Sequence, residues 1–134
     1  MATYNKFNSF VEAVNEKKHD FSTDVIKVAL TNTSPSASNT QLSDITEISY
    51  TYCSSRTVTI SSSSQTSGTY KAVANDLVLT ASGGDVGPFR YVVFYNDTST
   101  NDLLIYWLDY GSSITIADGG TLTIDFGLQM FSMI

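Results

Sequence analysis

The chain has 134 residues, of which 42% are hydrophobic and 15% charged, enough apolar material for one domain whose core removes about two-thirds of the unfolded surface from water. Thirteen acids against seven Lys and Arg leave a net charge of −6, which repels a phosphate backbone and offers anionic membranes no basic patch, so composition argues against nucleic-acid and membrane partners. The single cysteine, Cys53, excludes an intrachain disulfide; no apolar run reaches the roughly 20 residues of a membrane span, and the start Met-Ala-Thr-Tyr-Asn-Lys lacks a hydrophobic signal core, which reads as synthesis and folding in a cytoplasm.

Phe7, Phe10, Val11 and Val14 recur at i, i+3, i+4 and i+7, a spacing that predicts one amphipathic helix over about residues 4–18. Lys17-Lys18-His19 suits its C-terminal end, where positive charge complements the dipole. The apolar stripe either closes one end of a β core or docks as an arm on a neighbouring chain, which makes Phe7 and Phe10 candidate contact residues.

Strands follow. Val25 to Thr31 alternates with Ile26, Val28 and Leu30 inward, and Asn32 to Asn39 is a polar loop. Leu42, Ile45 and Ile48 form a helical turn or a strand lead-in. Thr57 to Ser61 alternates through Val58 and Ile60; Ser61 to Ser64 is a polar loop or strand edge. Thr69 to Val73 and Asp76 to Thr80 are short strands.

The richest stretch is 89–110. Phe89 to Tyr95 and Leu103 to Tyr110 are apolar, aromatic and β-branched, and the turn formers Asn96 to Asp102 join them as a hairpin. Strict alternation puts Phe89, Tyr91, Val93 and Tyr95 on one face and Val92 and Phe94 on the other. On the second strand Leu103, Ile105 and Trp107 oppose Leu104, Tyr106 and Leu108. Both faces are apolar, so the pair is central in a layered fold or one face meets another protein.

Gly111-Ser112 reads as a turn into a strand over 113–116, and Asp118-Gly119-Gly120 as a tight hairpin leading into Thr121 to Phe126. Met130, Phe131, Met133 and Ile134 form an apolar tail that docks on its own core or on a partner. Eight or nine short strands with frequent turns predict a mostly β fold: an antiparallel β-sandwich, jelly-roll-like, with one short N-terminal helix, in one domain spanning 1–134.

No residue pattern specifies catalysis, a cofactor or a metal. The one histidine, His19, has no local nucleophile and reads as a surface residue. Cys53 has only Arg56 nearby to lower its pKa. The Asn96-Asp97 and Asn101-Asp102 pairs fit no EF-hand spacing and read as turn formers, and Gly83-Gly84 lacks the Lys-Ser/Thr of a phosphate loop. Asp109 beside Tyr106, Trp107 and Tyr110 is the only place where a glycosidase acid or a sugar-stacking platform would sit.

Several stretches are familiar together: Tyr4 to Glu12, Lys27 to Pro35, Asp44 to Ile48, Gln65 to Lys71, Gly87 to Tyr91 with Tyr95 to Thr98, Trp107 to Ser113, and Thr123 to Phe126. In this order they resemble a group of small virion structural proteins of tailed bacteriophages, over nearly the whole chain. The likeness departs between Ile48 and Thr57, where a longer glycine-rich insertion is expected, and again after Phe126. The resemblance implies a non-enzymatic virion component, foremost a decoration or cement protein on the capsid exterior, with the major capsid protein, or further copies of itself, as partner. A tail or head–tail connector protein and a carbohydrate-binding module are the alternatives. The candidate contact residues are Phe7, Phe10, Tyr106, Trp107, Tyr110, Met130, Phe131, Met133 and Ile134.

Overall fold

The computed structural model describes residues 2–127 and 129–133. The chain is mostly β, antiparallel and sandwich-like, with one short helix, as its alternation predicts. The elements are β1 (Thr3–Lys6), α1 (Asn8–Asn15), β2 (Ile26–Thr31), a 3₁₀ turn (Leu42–Asp44), β3 (Thr57–Val58), β4 (Ile60–Thr66), β5 (Thr69–Ala74), β6 (Leu77–Thr80), β7 (Val86–Asn96), β8 (Leu104–Ile116), β9 (Thr121–Ile124) and β10 (Phe131–Met133). One five-stranded sheet runs β1-β8-β7-β2-β3. Two smaller ones, β10-β5-β4 and β6-β9, supply the rest.

The β7–β8 hairpin is apolar on both faces because each face meets its own core. Ile26, Val28 and Leu30 of β2, with Val92 and Phe94 of β7, pack on Ala72, Leu79, Ile124 and Phe131 of the smaller sheets. On the opposite face Ala29, Tyr91, Val93, Tyr95, Leu104 and Trp107 form a second, smaller core with Phe7 and Ile45. Ala37 and Leu42 lean on it. The loop between β2 and β3 thus folds back over the sheet and covers the face that the sequence left open to a partner. It is tied down by Asn8 N–H to the Ala37 carbonyl (2.9 Å), Leu42 N–H to Asp102 (3.0 Å) and Leu104 N–H to Thr40 (3.0 Å).

Strict alternation fails at two places within residues 89–110. Phe94 pairs with Tyr106 but Tyr95 with Leu104, so Ile105 is an extra residue on β8. That bulge puts Ile105 and Tyr106 together on the large core and Leu104 with Trp107 on the small one. A second register shift, between Phe89 and Tyr91, sends Phe89 to the large core, opposite Tyr91. The expected separate strand at 113–116 is the continuation of β8, whose backbone passes Gly111 at φ 84° and pairs onward with β7. The tight turn at 117–120 does not close a hairpin either: β9 pairs with β6 in another sheet, Thr121 opposite Thr80.

The predicted helix over about 4–18 is shorter. Thr3–Lys6 instead pairs as an edge strand with Tyr106–Asp109 of β8, and a partner strand outweighs four residues of helical propensity. Phe10 and Ala13 are the buried residues of α1, with Val14 packed beside them, whereas Val11 is 46% exposed. The apolar tail is a strand of this chain: Phe131, Ser132 and Met133 pair with Ala72, Lys71 and Tyr70 of β5. Among the described residues no helix is long and apolar enough to cross a membrane.

Candidate functional site

The structure turns most of the predicted contact residues inward. Phe7 and Trp107 meet in the small core with ring centroids 4.6 Å apart, and Trp107 is 8% exposed. Phe10 meets Phe131 edge-on at 5.6 Å, and Phe21 meets Phe131 at 4.9 Å. Tyr106 stacks on Phe94 at 4.3 Å within the large core. Met130 is buried, while Tyr110 and Met133 are half-buried against the large core; Ile134 lies outside the described residues. These side chains are therefore packing residues of their own fold, not a presented surface. Trp107 and Tyr110 belong to opposite cores, so no flat aromatic platform for a sugar forms around Trp107.

Asp109 is not suited to general acid chemistry. Arg90 donates to it through Nε (2.8 Å) and Nη2, and the Gly111 N–H donates as well (2.8 Å). The Arg90 hydrogen bonds hold its carboxyl below the usual range, the opposite of what a proton donor needs. Burial pushes the Cys53 thiol up despite Arg56, so it is held as a thiol. Asp97 pairs with Lys27 at 3.2 Å. Among the described residues no group of three or more His, Cys, Asp or Glu converges as metal ligands.

The site that sequence reading missed lies where the chain after α1 meets the β7–β8 loop. Asn96, the last residue of β7, is fully buried. Its Oδ1 accepts from the backbone N–H groups of Thr98 (2.9 Å) and Ser99 (3.1 Å). Those two donors fix the amide orientation, so Nδ2 donates to Asp24 Oδ2 (2.7 Å) and to His19 Nδ1 (2.9 Å). His19 Nδ1 is consequently an acceptor and the ring proton sits on Nε2. That atom is buried and has no hydrogen-bond partner among the described residues. The imidazole stacks on Phe21 and tilts against Phe10, both at 5.5 Å. Burial pushes its pKa below the ordinary histidine range, and the nearby Asp24 offsets part of that shift.

His19 is thus a half-buried, neutral ring rather than a surface one. It lines a cleft of ≈ 480 Å³ between the segment after α1, the β10-β5-β4 sheet and the β7–β8 loop, with Val14, Phe21, Tyr70, Phe131 and Met133 as its apolar lining. Lys17 and Lys18 stand at its rim and also line an adjoining cleft of ≈ 480 Å³ with Thr98, Ser99, Thr100 and Asn101. No local motif signals this site, because Asn96 and His19 are 77 positions apart. The one available hint is Asn96 followed by Asp97-Thr98-Ser99, an Asx-turn signature at the end of an apolar strand.

Comparison with protein-family models, with curated proteins and with solved structures finds no match.

Proposed function

We propose that this chain is a non-enzymatic structural protein of a tailed-bacteriophage virion, a decoration protein bound to the capsid exterior with the major capsid protein as partner. The observation that carries the reading is the resemblance, which keeps one order through nearly the whole sequence. Three of its stretches fall on strands: Gly87 to Tyr91 lies in β7, Trp107 to Ser113 in β8, and Thr123 to Phe126 runs from the end of β9. The net charge of −6 suits a place outside a DNA-filled shell better than one inside it.

The geometry changes where the contact falls. The hairpin's second face and the apolar tail are both used internally, so the partner meets surfaces the fold leaves open. The foremost is β4, an edge strand of seven uncharged residues, Ile60–Thr66, whose outer backbone groups are unpaired within its sheet. Electron microscopy of purified particles tests the reading. The expected result is density for this fold on the outer shell, in a copy number near that of the major capsid subunit, with β4 at the contact. Density confined to the tail or connector, in far fewer copies, replaces decoration with the alternative placement; absence from particles removes the virion role.

A further inference from the structure

The two clefts that share Lys17, Lys18, Thr98 and Ser99 differ sharply in lining. The inner one has the aromatic and aliphatic floor of Phe21, Phe131, Val14 and Met133. The outer one contains no carboxylate: its charged groups are the two lysines, beside three hydroxyls and the Asn101 amide. The acids of the inner cleft, Asp20 and Asp24, accept hydrogen bonds from neutral donors and keep their charge. Asp24 Oδ2 accepts from the Asp20 N–H (2.9 Å) and from Asn96 (2.7 Å), while Asp20 Oδ1 accepts from the N–H and hydroxyl of Ser22. Lys17 and Lys18 belong to neither of the ion pairs among the described residues, Lys27–Asp97 and Arg90–Asp109.

The backbone at the lysines is informative in its own right. Glu16 caps α1, Lys17 has φ 64°, Lys17 N–H bonds to the Val14 carbonyl (3.3 Å) and Lys18 N–H to Ala13 (2.9 Å). This is a Schellman ending, in which the left-handed position is ordinarily glycine. A lysine there accepts steric strain that glycine avoids, and Lys17 and Lys18 both line the two clefts.

We propose that the paired clefts form one binding site for a single-chain amphiphilic anion. Its acyl or aryl tail enters the inner cleft over Phe21 and Phe131, and its acid head lies at Lys17 and Lys18 with Thr98 to Asn101 as hydrogen-bonding neighbours. Each cleft lies within the size range of small-molecule sites, and an apolar floor beside an outer cleft that has two lysines and no carboxylate favours an anionic head over a neutral or cationic one. This site is independent of the virion reading, since it uses neither β4 nor a capsid partner.

The test is titration of the full chain, followed by nuclear magnetic resonance, with decanoate below its micelle concentration. Acetate (head alone), 1-decanol (neutral tail) and decyltrimethylammonium serve as comparisons. Decanoate is expected to bind about tenfold more tightly than the other three, shifting Val14, Phe21, Phe131 and Met133 resonances together with Thr98 to Asn101. Lys17→Gln with Lys18→Gln should weaken decanoate by about fivefold or more, the size of two partly exposed ion pairs, and leave decanol unchanged. Lys17→Gly, which relieves the left-handed backbone, should keep the thermal midpoint at or above the parent's and still weaken decanoate. Equal binding of decanoate and decanol, no loss in the lysine variants, or shifts elsewhere on the molecule would overturn the proposal. Sedimentation with phosphatidylglycerol vesicles separates the sources: the protein should stay in the supernatant, and vesicle binding without decanoate binding would replace the site with a membrane surface.

Discussion

At the scale of single residues, Asn96 and His19 couple the segment after α1 to the hairpin loop, and the coupling depends on protonation. Because Asn96 presents Nδ2 to His19 Nδ1, a proton added at Nδ1 sets two donors against each other. Burial opposes the charge as well, and the folded-state pKa lies below the unfolded value of about 6.5. The unfolded chain therefore binds the proton first as pH falls. The contribution of neutral His19 is complete above about pH 7.5 and declines as pH drops through 6.5 toward the folded value. Urea midpoints measured from pH 8 to 5 should fall over this window. In His19→Asn, whose Oδ1 can accept from Asn96 but does not titrate, the fall should disappear; an unchanged slope would assign it elsewhere. The carboxyls of Asp20, Asp44 and Asp109 act in a separate window. Hydrogen bonds from Ser22, from Thr40 and Gln41, and from Arg90, respectively, lower their pKa values, so their contribution is lost only as pH falls below about 4.

At the scale of elements, β10 shows what a short apolar tail does when an edge strand is available. Phe131 is 7% exposed and meets Phe10, Phe21 and Tyr70, and Met130 N–H bonds to the Ala72 carbonyl at 2.7 Å. Ending the chain at Gln129 removes this strand and uncovers the Phe10–Phe21 cluster. Loss of one buried Phe alone costs about 3–5 kcal/mol. The truncated protein should melt at least about 10 °C lower or lose its cooperative transition in a thermal scan; an unchanged midpoint would refute the core role of β10. The same element marks where sequence reasoning reached its limit. Docking on the chain's own core was legible from Met130 to Met133, but the choice between core and partner rests on the free edge of β5, some 60 positions earlier. Alternation identified β2 and β9 because each keeps an uninterrupted two-residue period, although β2 buries Ala29 in the small core as well as Ile26, Val28 and Leu30 in the large one. It misplaced Phe89, Leu104 and Ile105 because a bulge is a property of a strand pair, invisible in either strand alone. Thr3–Lys6 was lost to the helix for a similar reason: its partner, Tyr106–Asp109, is a hundred residues away.

At the scale of the whole molecule, two cores on one sheet imply two levels of stability. The large core joins three sheets, whereas the small one is closed by a loop held mainly through Ile45, Leu42 and Ala37 and a few backbone hydrogen bonds. Segments with little buried area and mostly loop hydrogen bonds open at lower free energy than the global transition. Trp107, the only tryptophan, lies in the small core against Phe7 and reports the opening of that core. In the native protein its fluorescence should be blue-shifted and shielded from acrylamide, as 8% exposure requires. Ile45→Ala should cost about 2–4 kcal/mol where the loop packs, raising acrylamide quenching of Trp107 and speeding amide exchange at Leu42 and Ile45. Exchange at Val28 and Val92, which face the large core, should change much less. If Trp107 in the variant stays shielded until the large core melts, the loop is part of a single cooperative unit. If it becomes accessible while far-ultraviolet dichroism is unchanged, the loop is a separable cover. The aromatic face of the small core, Tyr91, Tyr95 and Trp107, is then an apolar surface that the fold can expose without unfolding its main core.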